Sequence, residues 1–239
     1  MGGSLEIGLV KPLDVRREFL HSTDARSNQH VCRVLYVSDI HLRPRRSGVL
    51  REQVLKSAEA SRADLILLGG DLLDRRSELP ELTVLVAELR RLATVLAVGG
   101  NHDAAVGLPL VRDAVIQGGA EWIHDRSVAI RFGSRTIAVS GPDAREHAAG
   151  DVRILCAHNP RIWRTVPRQS FDLVLAGHLH GCQLVAFEYR DRLFPGAWFY
   201  PCCYLSHRRD RTMLVVSRGV SDLFPIRWRC PREVVLCHV

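Results

Sequence analysis

The chain has 239 residues, of which 46% are hydrophobic and 25% charged, and its formal net charge is +7. These proportions exclude a disordered or membrane-embedded chain and fit a globular protein with a sizeable core. The positive charge favours an anionic partner, such as a phosphate ester, a nucleic acid or an acidic lipid surface, although scattered arginines serve solubility equally well.

The first half of the chain alternates apolar runs with helical patterns. After a polar lead-in over residues 1–30, with one edge strand around 5–10, the sequence predicts three buried strands and three helices. The strands are "VCRVLYVSD" from Val31, "DLILLGGD" from Asp64 and "TVLAVGGNHD" from Thr94; the helices begin near Gly48, Pro80 and Pro109. This β-α-β-α-β-α order predicts an α/β fold with a parallel sheet.

The second half is richer in strands. "SVAIRFGSRTIAVSG" predicts a hairpin that turns at Gly133-Ser134. Two strands, "VRILCAHNP" and "FDLVLAGHLHG", are separated by a short helical stretch near Trp163, and three more follow: "QLVAFE", "TMLVVSRG" and "REVVLCHV". Since no linker interrupts this pattern, we expect residues 31–239 to form a single domain.

Two features bear on the compartment. The seven cysteines show no Cys-x-x-Cys spacing and several lie in apolar runs, which predicts buried reduced thiols. "RREFL" at 16–20 resembles a twin-arginine export signal, but the polar "HSTDARSNQH" follows where such a signal needs an apolar segment. With no stretch long enough for a transmembrane helix, we expect a cytoplasmic protein; an upstream start is the open alternative.

Residues of metal-binding type follow five predicted strands. They are Asp39 and His41, Asp71, Asn101 and His102, His158, and His178 with His180. Taken singly, each has a structural explanation as a turn residue, a helix cap or a core histidine. Because ligands bind beyond the carboxyl ends of strands in open α/β sheets, five such strand ends together predict one polar cluster.

The segment "AGHLHGCQ" at 176–183 is the densest of these motifs. His178 and His180, two residues apart in an extended segment, project to the same side and form a natural pair of metal ligands. The flanking Gly177 and Gly181 permit a sharp turn and a close approach of the backbone.

In their order, the motifs "DIH", "GDLLD", "GNHD", the histidine of "AHNP", and "GHLH" resemble those of the calcineurin-like metallophosphoesterases. The resemblance implies a four-layer α/β/β/α sandwich, with two mixed sheets flanked by helices, and a two-metal site. The tail "LVVSRGV…PIRWRCPREVVL" is similar to the bacterial subgroup typified by YkuE, in which some members are exported or membrane-attached and some hydrolyse UDP-diacylglucosamine. This sequence departs from the subgroup in showing no membrane anchor and in carrying Cys182 where a second glycine is usual.

The resemblance also implies the roles of the ligands. Asp39, His41 and His180 would hold one metal; Asn101, His158 and His178 would hold the other, and Asp71 would bridge both. The mixed oxygen and nitrogen donors suit two divalent ions, with Mn²⁺ favoured and Fe or Zn²⁺ as alternatives. Two dications against Asp39, Asp71 and a bridging hydroxide leave positive charge that attracts a phosphate.

The expected reaction is hydrolysis of a phosphate mono- or diester by direct attack of the metal-bridging hydroxide. In the resembling family the histidine at the position of His102 contacts the phosphate and protonates the leaving oxygen, and we expect Asp103 to orient its ring. For Asp74 a structural loop contact and a supporting role at the site are both open.

A small phosphate ester is therefore the predicted substrate. The alternatives are a metal-dependent nuclease of the same superfamily and a non-enzymatic scaffold on the same fold. The sequence shows neither a separate capping domain nor a basic-aromatic stretch that would favour a nucleic-acid substrate. A non-enzymatic scaffold would be expected to lack some of the ligands. Four aromatic residues, Trp198, Phe199, Tyr200 and Tyr204, either wall the pocket or belong to the core.

Overall fold

Strands outnumber helices in the computed structural model, which describes residues 5–9, 11–20 and 32–239. The strands are β1 (Leu5–Ile7), β2 (Asp14–Phe19), β3 (Arg33–Val37), β4 (Leu65–Gly69), β5 (Thr94–Val98), β6 (Glu121–Trp122), β7 (Ser127–Phe132), β8 (Arg135–Ser140), β9 (Val152–Cys156), β10 (Leu173–Ala176), β11 (Phe187–Tyr189), β12 (Arg192–Phe194), β13 (Ser206–Arg209), β14 (Thr212–Val216), β15 (Ile226–Trp228) and β16 (Glu233–His238). The helices are α1 (Ser47–Ser61), α2 (Leu79–Leu92), α3 (Asn101–Val106), α4 (Leu108–Gln117) and α5 (Gly196–Phe199), with short 3-10 helices at Arg76–Glu78, Pro160–Arg164 and His180–Cys182.

The first main sheet has the strand order β2-β16-β3-β4-β5-β6. Its strands β3 to β6 are parallel, whereas β16 runs antiparallel to β3 and parallel to β2. β4 is buried along its whole length and β5 at every residue after Thr94, as expected for strands that are covered on both faces.

The second main sheet has the order β13-β14-β10-β9-β8-β7, with parallel strands at its centre and an antiparallel pair at each edge. The hairpin predicted at Gly133-Ser134 is confirmed as β7 and β8. Small two-stranded sheets pair β1 with β15 and β11 with β12.

The main sheets pack face to face through a buried apolar layer that includes Tyr36 and Leu67 of the first sheet and Ile154 and Leu175 of the second. Helices α1, α2 and α4 cover the other face of the first sheet. On the outer face of the second sheet, Trp163 of the 3-10 helix Pro160–Arg164 packs against β9, β10 and β14. The four-layer α/β/β/α arrangement is thus confirmed, with a thin fourth layer.

Helical spacing of apolar residues explains the helix that follows β3. Leu50, Val54 and Ala58 recur every four residues in α1 and all are buried against the first sheet. The helix ends where Arg62 adopts a left-handed conformation, with φ of 47°. The predicted helices near Gly48, Pro80 and Pro109 are therefore confirmed as α1, α2 and α4.

The structure adds elements that the hydrophobic pattern did not reveal. Within the stretch expected to be a polar lead-in, β1 confirms the predicted edge strand, and the charged segment Asp14–Phe19 forms the further strand β2. The two arginines of "RREFL" lie in β2, while the polar segment after it, residues 21–30, falls outside the described residues. In the described ranges, none of the helices combines the length and apolar composition needed to cross a bilayer.

Candidate metal centre

Strands of both sheets deliver polar side chains to one edge of the sandwich. Asp39 and His41 follow β3, Asp71 follows β4, and Asn101 begins α3 just after β5. From the second sheet, His158 follows β9, and the segment with His178 and His180 follows β10. All seven predicted ligands therefore lie at the carboxyl ends of strands, where the two sheets meet.

The first group of side chains comprises Asp39, His41 and His180, all of which are buried. The two histidine Nε2 atoms are 3.2 Å apart, and His180 Nε2 lies 3.5 Å from Asp39 Oδ1. Ligand atoms about 2.1 Å from a common ion lie roughly 3–3.5 Å apart. This spacing is what one ion between the three side chains requires.

The second group is centred on His158. Its Nε2 atom lies 3.1 Å from Asp71 Oδ2, 3.2 Å from Asn101 Oδ1 and 3.2 Å from His178 Nδ1. The same Asp71 oxygen lies 3.8 Å from His41 Nε2 of the first group. Asp71 therefore faces both groups, and the two histidines of "GHLH" divide between them.

The hydrogen bonds of three histidines show why a cation fits between these groups. Each has Nδ1 next to an oxygen acceptor: His41 at 2.7 Å from Asp74 Oδ1, His158 at 3.0 Å from the Gly69 carbonyl and His180 at 3.0 Å from the Ser221 carbonyl. A neutral imidazole that donates from Nδ1 carries a lone pair at Nε2. These lone pairs face one another and carboxylate oxygens, an arrangement that is repulsive unless a proton or a metal ion lies between them.

The pKa values of His158 and Asp71 in the metal-free protein also indicate that positive charge is favoured beside the buried carboxylates. Burial opposes protonation of His158, but its hydrogen bond to Asp71 and the field of Asp39 outweigh burial and raise its pKa to about 9. Burial would raise the pKa of Asp71, yet His158 and His41 lower it to about 2. Burial lowers the pKa of His180 to about 4, so this ring stays neutral. The protonated form of His158 is thus favoured beside the carboxylates of Asp71 and Asp39 when no metal is bound.

Two glycines make these close approaches possible. A Cβ on Gly177 would lie 2.3 Å from Asp39 Oδ2, and one on Gly100 would lie 2.1 Å from Asp71 Oδ1. Any larger residue would displace the carboxylate.

The backbone that carries the ligands is also unusual. Five of the seven predicted ligands have a positive φ, between 49° and 71°: Asp39, His41, Asp71, His178 and His180. Asp and His tolerate the left-handed region better than most residues.

His102 lies beside the groups, partly exposed. Its Nδ1 atom is 2.9 Å from Asp74 Oδ1, the same oxygen that faces His41 Nδ1, and this hydrogen bond raises the pKa of His102. The other oxygen of Asp74 is 2.8 Å from Arg43 Nε. This geometry favours a supporting role of Asp74 at the site over a structural loop contact, because the Asp74 carboxylate links the predicted ligand His41 to His102.

Asp103 does not contact the ring of His102 in the way we expected. It is fully buried and accepts hydrogen bonds from the backbone N–H groups of Gly100, Leu72 and Leu73, at 2.8 to 3.2 Å. Because α3 begins at Asn101, Asp103 points back to the helix start and ties it to the loop after β4. The carboxylate that contacts the ring of His102 is that of Asp74, three residues beyond Asp71. Asp74 is the last residue of the "GDLLD" motif, so the sequence contained this acidic residue as a candidate.

Two cavities adjoin His178. The larger, about 650 Å³, is lined by His178, His180 and several apolar side chains: Leu179, Leu184, Tyr200, Leu223, Phe224 and Ile226. The smaller, about 190 Å³, also borders His178, and its lining includes Arg161 and Arg164. Tyr200 lines both cavities, whereas Tyr204 packs on the core of the second sheet.

A two-sheet α/β sandwich with Asp, Asn and His side chains converging from strands of both sheets is the architecture of a metal-dependent phosphoesterase. The chain belongs to the calcineurin-like phosphoesterase family, whose model matches residues 32–182. It is accordingly a hydrolase that acts on phosphoric ester bonds.

Individual relatives agree with this assignment. The chain is 26% identical to phosphodiesterase YaeI of Escherichia coli, over 90% of this chain and 84% of the relative. It is 28% identical to an uncharacterized metallophosphoesterase of Aquifex aeolicus, over 87% and 84% of the two chains. Among solved structures, a dimetal phosphatase from Danio rerio superposes with a TM-score of 0.53 at 11% identity, over 88% of this chain and 99% of that one, a likeness of fold.

Proposed function

We propose that the protein is a binuclear metal-dependent phosphodiesterase. The observation that carries the proposal is the pair of adjoining ligand groups that share Asp71 Oδ2, each with imidazole nitrogens turned toward oxygen or nitrogen acceptors. Asp39, His41 and His180 would hold one ion, and Asn101, His158 and His178 the other. Mn²⁺ is the ion we propose first, since a set of oxygen and imidazole ligands without thiolate suits it, with Fe and Zn²⁺ as alternatives.

When bound, two divalent cations supply an activated water nucleophile and neutralise the charge of the phosphate. Residues of the chain hold the rings of the proposed metal ligands and the proton donor in position. The Ser221 and Gly69 carbonyls fix the rings of His180 and His158, and Asp74 fixes that of His41. His102, whose Nδ1 proton is held by Asp74, presents the other edge of its ring as a donor to the leaving oxygen.

The two cavities support a substrate with unlike parts. A second anionic group of the ester fits the smaller cavity, where Arg161 and Arg164 supply bidentate donors. An apolar alcohol fits the larger cavity, whose wall includes Phe224 and Ile226. A diester is the first class to test, because the similar YaeI is named a phosphodiesterase.

The deciding experiment compares metal content and hydrolysis for Asp71→Asn and an exposed control, Asp113→Asn on α4. Wild type and the control should carry close to two transition-metal ions per chain and hydrolyse bis(p-nitrophenyl) phosphate with Mn²⁺. Asp71→Asn should lose ions from both groups, and its activity should fall about 10²-fold or more because the shared carboxylate is gone. Full activity of a metal-free preparation would refute the proposal.

A further inference from the structure

Two cysteine sulfurs face each other beside the histidine loop. Cys182 Sγ and Cys203 Sγ lie 3.7 Å apart, and neither belongs to the groups described above. Cys182 comes two residues after His180, at the end of the 3-10 helix His180–Cys182, whereas Cys203 lies in the loop beyond α5. The pair thus joins the segment that carries His178 and His180 to a distant part of the chain.

Gly196 creates the space in which the sulfurs meet. A Cβ on this glycine would lie 2.3 Å from Cys182 Sγ and 3.0 Å from Cys203 Sγ, so both sulfurs rest against its bare α-carbon. The backbone N–H of Cys203 donates to the Tyr200 carbonyl at 2.9 Å, and the side chain packs in an apolar cluster with Leu193. The loop beyond α5 therefore holds its cysteine in place.

Access to the pair is one-sided. Cys182 is partly exposed and lines the 650 Å³ cavity, whereas Cys203 is 1% exposed. The nearby thiol of Cys230 is engaged elsewhere, since its sulfur lies 3.4 Å from the His180 carbonyl. A reagent that enters the cavity therefore contacts Cys182 first, and the buried Cys203 lies within reach of the Cys182 sulfur.

We propose that Cys182 and Cys203 form a reversible thiol–disulfide modification site, oxidised by a low-molecular-weight disulfide such as glutathione disulfide, and that its closure lowers phosphoesterase activity. The sulfur of Cys182 attacks one sulfur of the reagent, whose S–S bond breaks and releases one thiol, which takes the proton of Cys182. Cys203 then attacks the Cys182 sulfur in the mixed disulfide and releases the second thiol with its own proton. Two electrons pass from the cysteine pair to the reagent, and two reduced thiols leave.

Closure acts on the histidine loop because the two sulfurs must approach by roughly 1.7 Å to reach the ~2.0 Å of a disulfide bond. The backbone of this turn is tightly constrained, because φ is positive, between 49° and 57°, at His180, Gly181, Cys182 and Gln183. A displacement of Cys182 is therefore expected to displace His180 as well. A shift of about 1 Å in a group that positions the reaction can cost up to ~10²-fold in rate. We therefore expect oxidation to reduce activity by about 10-fold or more.

The experiment treats the Mn²⁺-loaded wild type, Cys203→Ala and Cys202→Ala with glutathione disulfide, and then with a reducing thiol. Cys202 is the matched control, because Cys202→Ala removes the adjoining thiol of the same loop and leaves the Cys182–Cys203 pair in place; the activity of each variant is compared with that of its own reduced form. Trypsin cuts at Arg190 and Arg192, between the two cysteines, so a disulfide keeps two peptides joined without reductant. Mass spectrometry reads the bond independently of any activity, and hydrolysis of bis(p-nitrophenyl) phosphate reads its effect.

Wild type and Cys202→Ala should yield joined peptides and a reversible activity loss of about 10-fold, and Cys203→Ala should show neither. If Cys203→Ala does not fold, Cys182→Ala removes the other partner and carries the same expectation. Absence of the joined peptides, or joined peptides with activity within 2-fold of the reduced enzyme, would overturn the proposal. An enzyme without hydrolase activity that still forms the bond would count against the proposed function and against the effect on activity, but not against the thiol pair.

Discussion

Replacing Asp74 by Asn tests whether one carboxylate aligns both a metal ligand and the proton donor. Oδ1 of Asp74 lies 2.7 Å from His41 Nδ1 and 2.9 Å from His102 Nδ1, and Oδ2 lies 2.8 Å from Arg43 Nε. The Asn side chain has nearly the same shape and keeps one oxygen toward the two rings. It removes the negative charge and turns an NH₂ group toward Arg43.

The expected loss follows from these contacts. A hydrogen bond to a charged group contributes about 1.5–3 kcal/mol, and a neutral one about half of that. Two weakened bonds on a carboxylate that is 17% exposed amount to about 2 kcal/mol. Since 1.36 kcal/mol is tenfold in rate, Asp74→Asn should lower kcat/KM by about 30-fold. Asp74→Ala, which removes both bonds, should lose about 10²-fold or more.

The assay measures kcat/KM for a phosphodiester with an alkyl leaving group, which needs the proton donor, across a Mn²⁺ titration, with bound metal quantified in parallel. Asp64→Asn is the matched control, because Asp64 also pairs with an arginine but lies before β4, at the opposite end of the strands. Asp74→Asn should need more Mn²⁺ for half-maximal activity and remain slower when saturated. If its saturated kcat/KM lies within 2-fold of wild type, the positioning role of Asp74 is wrong.

Three further changes probe the donor, the substrate wall and the framework. His102→Ala should retain its metal yet lose about 10²-fold in kcat on esters with alkyl leaving groups and much less on nitrophenyl esters; equal losses on both would refute proton donation, and lost metal would show that His102 is a ligand. Phe224→Ala should raise KM about 5-fold for aryl diesters with little change in kcat, because it removes part of the apolar contact with the substrate. The control Ile116→Ala, on the distant α4, should change neither constant. An unchanged KM for Phe224→Ala would show that Phe224 does not contact the substrate. Glu233→Gln should cost about 3 kcal/mol at pH 7 in urea unfolding, since the fully buried Glu233 pairs with Arg16 and Arg218. Burial would raise the pKa of Glu233, but the two arginines lower it below its ordinary value of 4.5, so its contribution is present above pH 4.5 and fades as the pH falls through the lower folded value; a stability difference that does not narrow in acid would contradict this.

The clustering of these Asp, Asn and His side chains could be predicted from the sequence because they follow strands that are continuous apolar runs. Such runs can only be buried, and parallel strands bring their carboxyl ends to the same edge. The site could therefore be placed at the ends of β3, β4 and β10 without coordinates. The assignment to the YkuE-type subgroup stays a prediction.

Other features depend on contacts that no local pattern encodes. β2 has few apolar residues and forms because β16 supplies backbone partners and Glu233 supplies a charge for Arg16. The contact of Asp74 with His102, rather than the expected one from Asp103, arises because a helix begins at Asn101 and turns Asp103 inward. The approach of Cys182 to Cys203 depends on two separate loops, whose sulfurs both lie against Gly196.

The left-handed conformations of Asp39, His41, Asp71, His178 and His180 restrict which residues the centre can accept by mutation. At these positions a substitution would have to suit the left-handed backbone as well as the proposed metal ion. A β-branched residue is disfavoured there, and even Glu or Cys, which could donate to a metal, lacks the tolerance of Asp and His for positive φ. Attempts to change the metal preference of the proposed centre are therefore best begun at Asn101 or His158, neither of which has a positive φ.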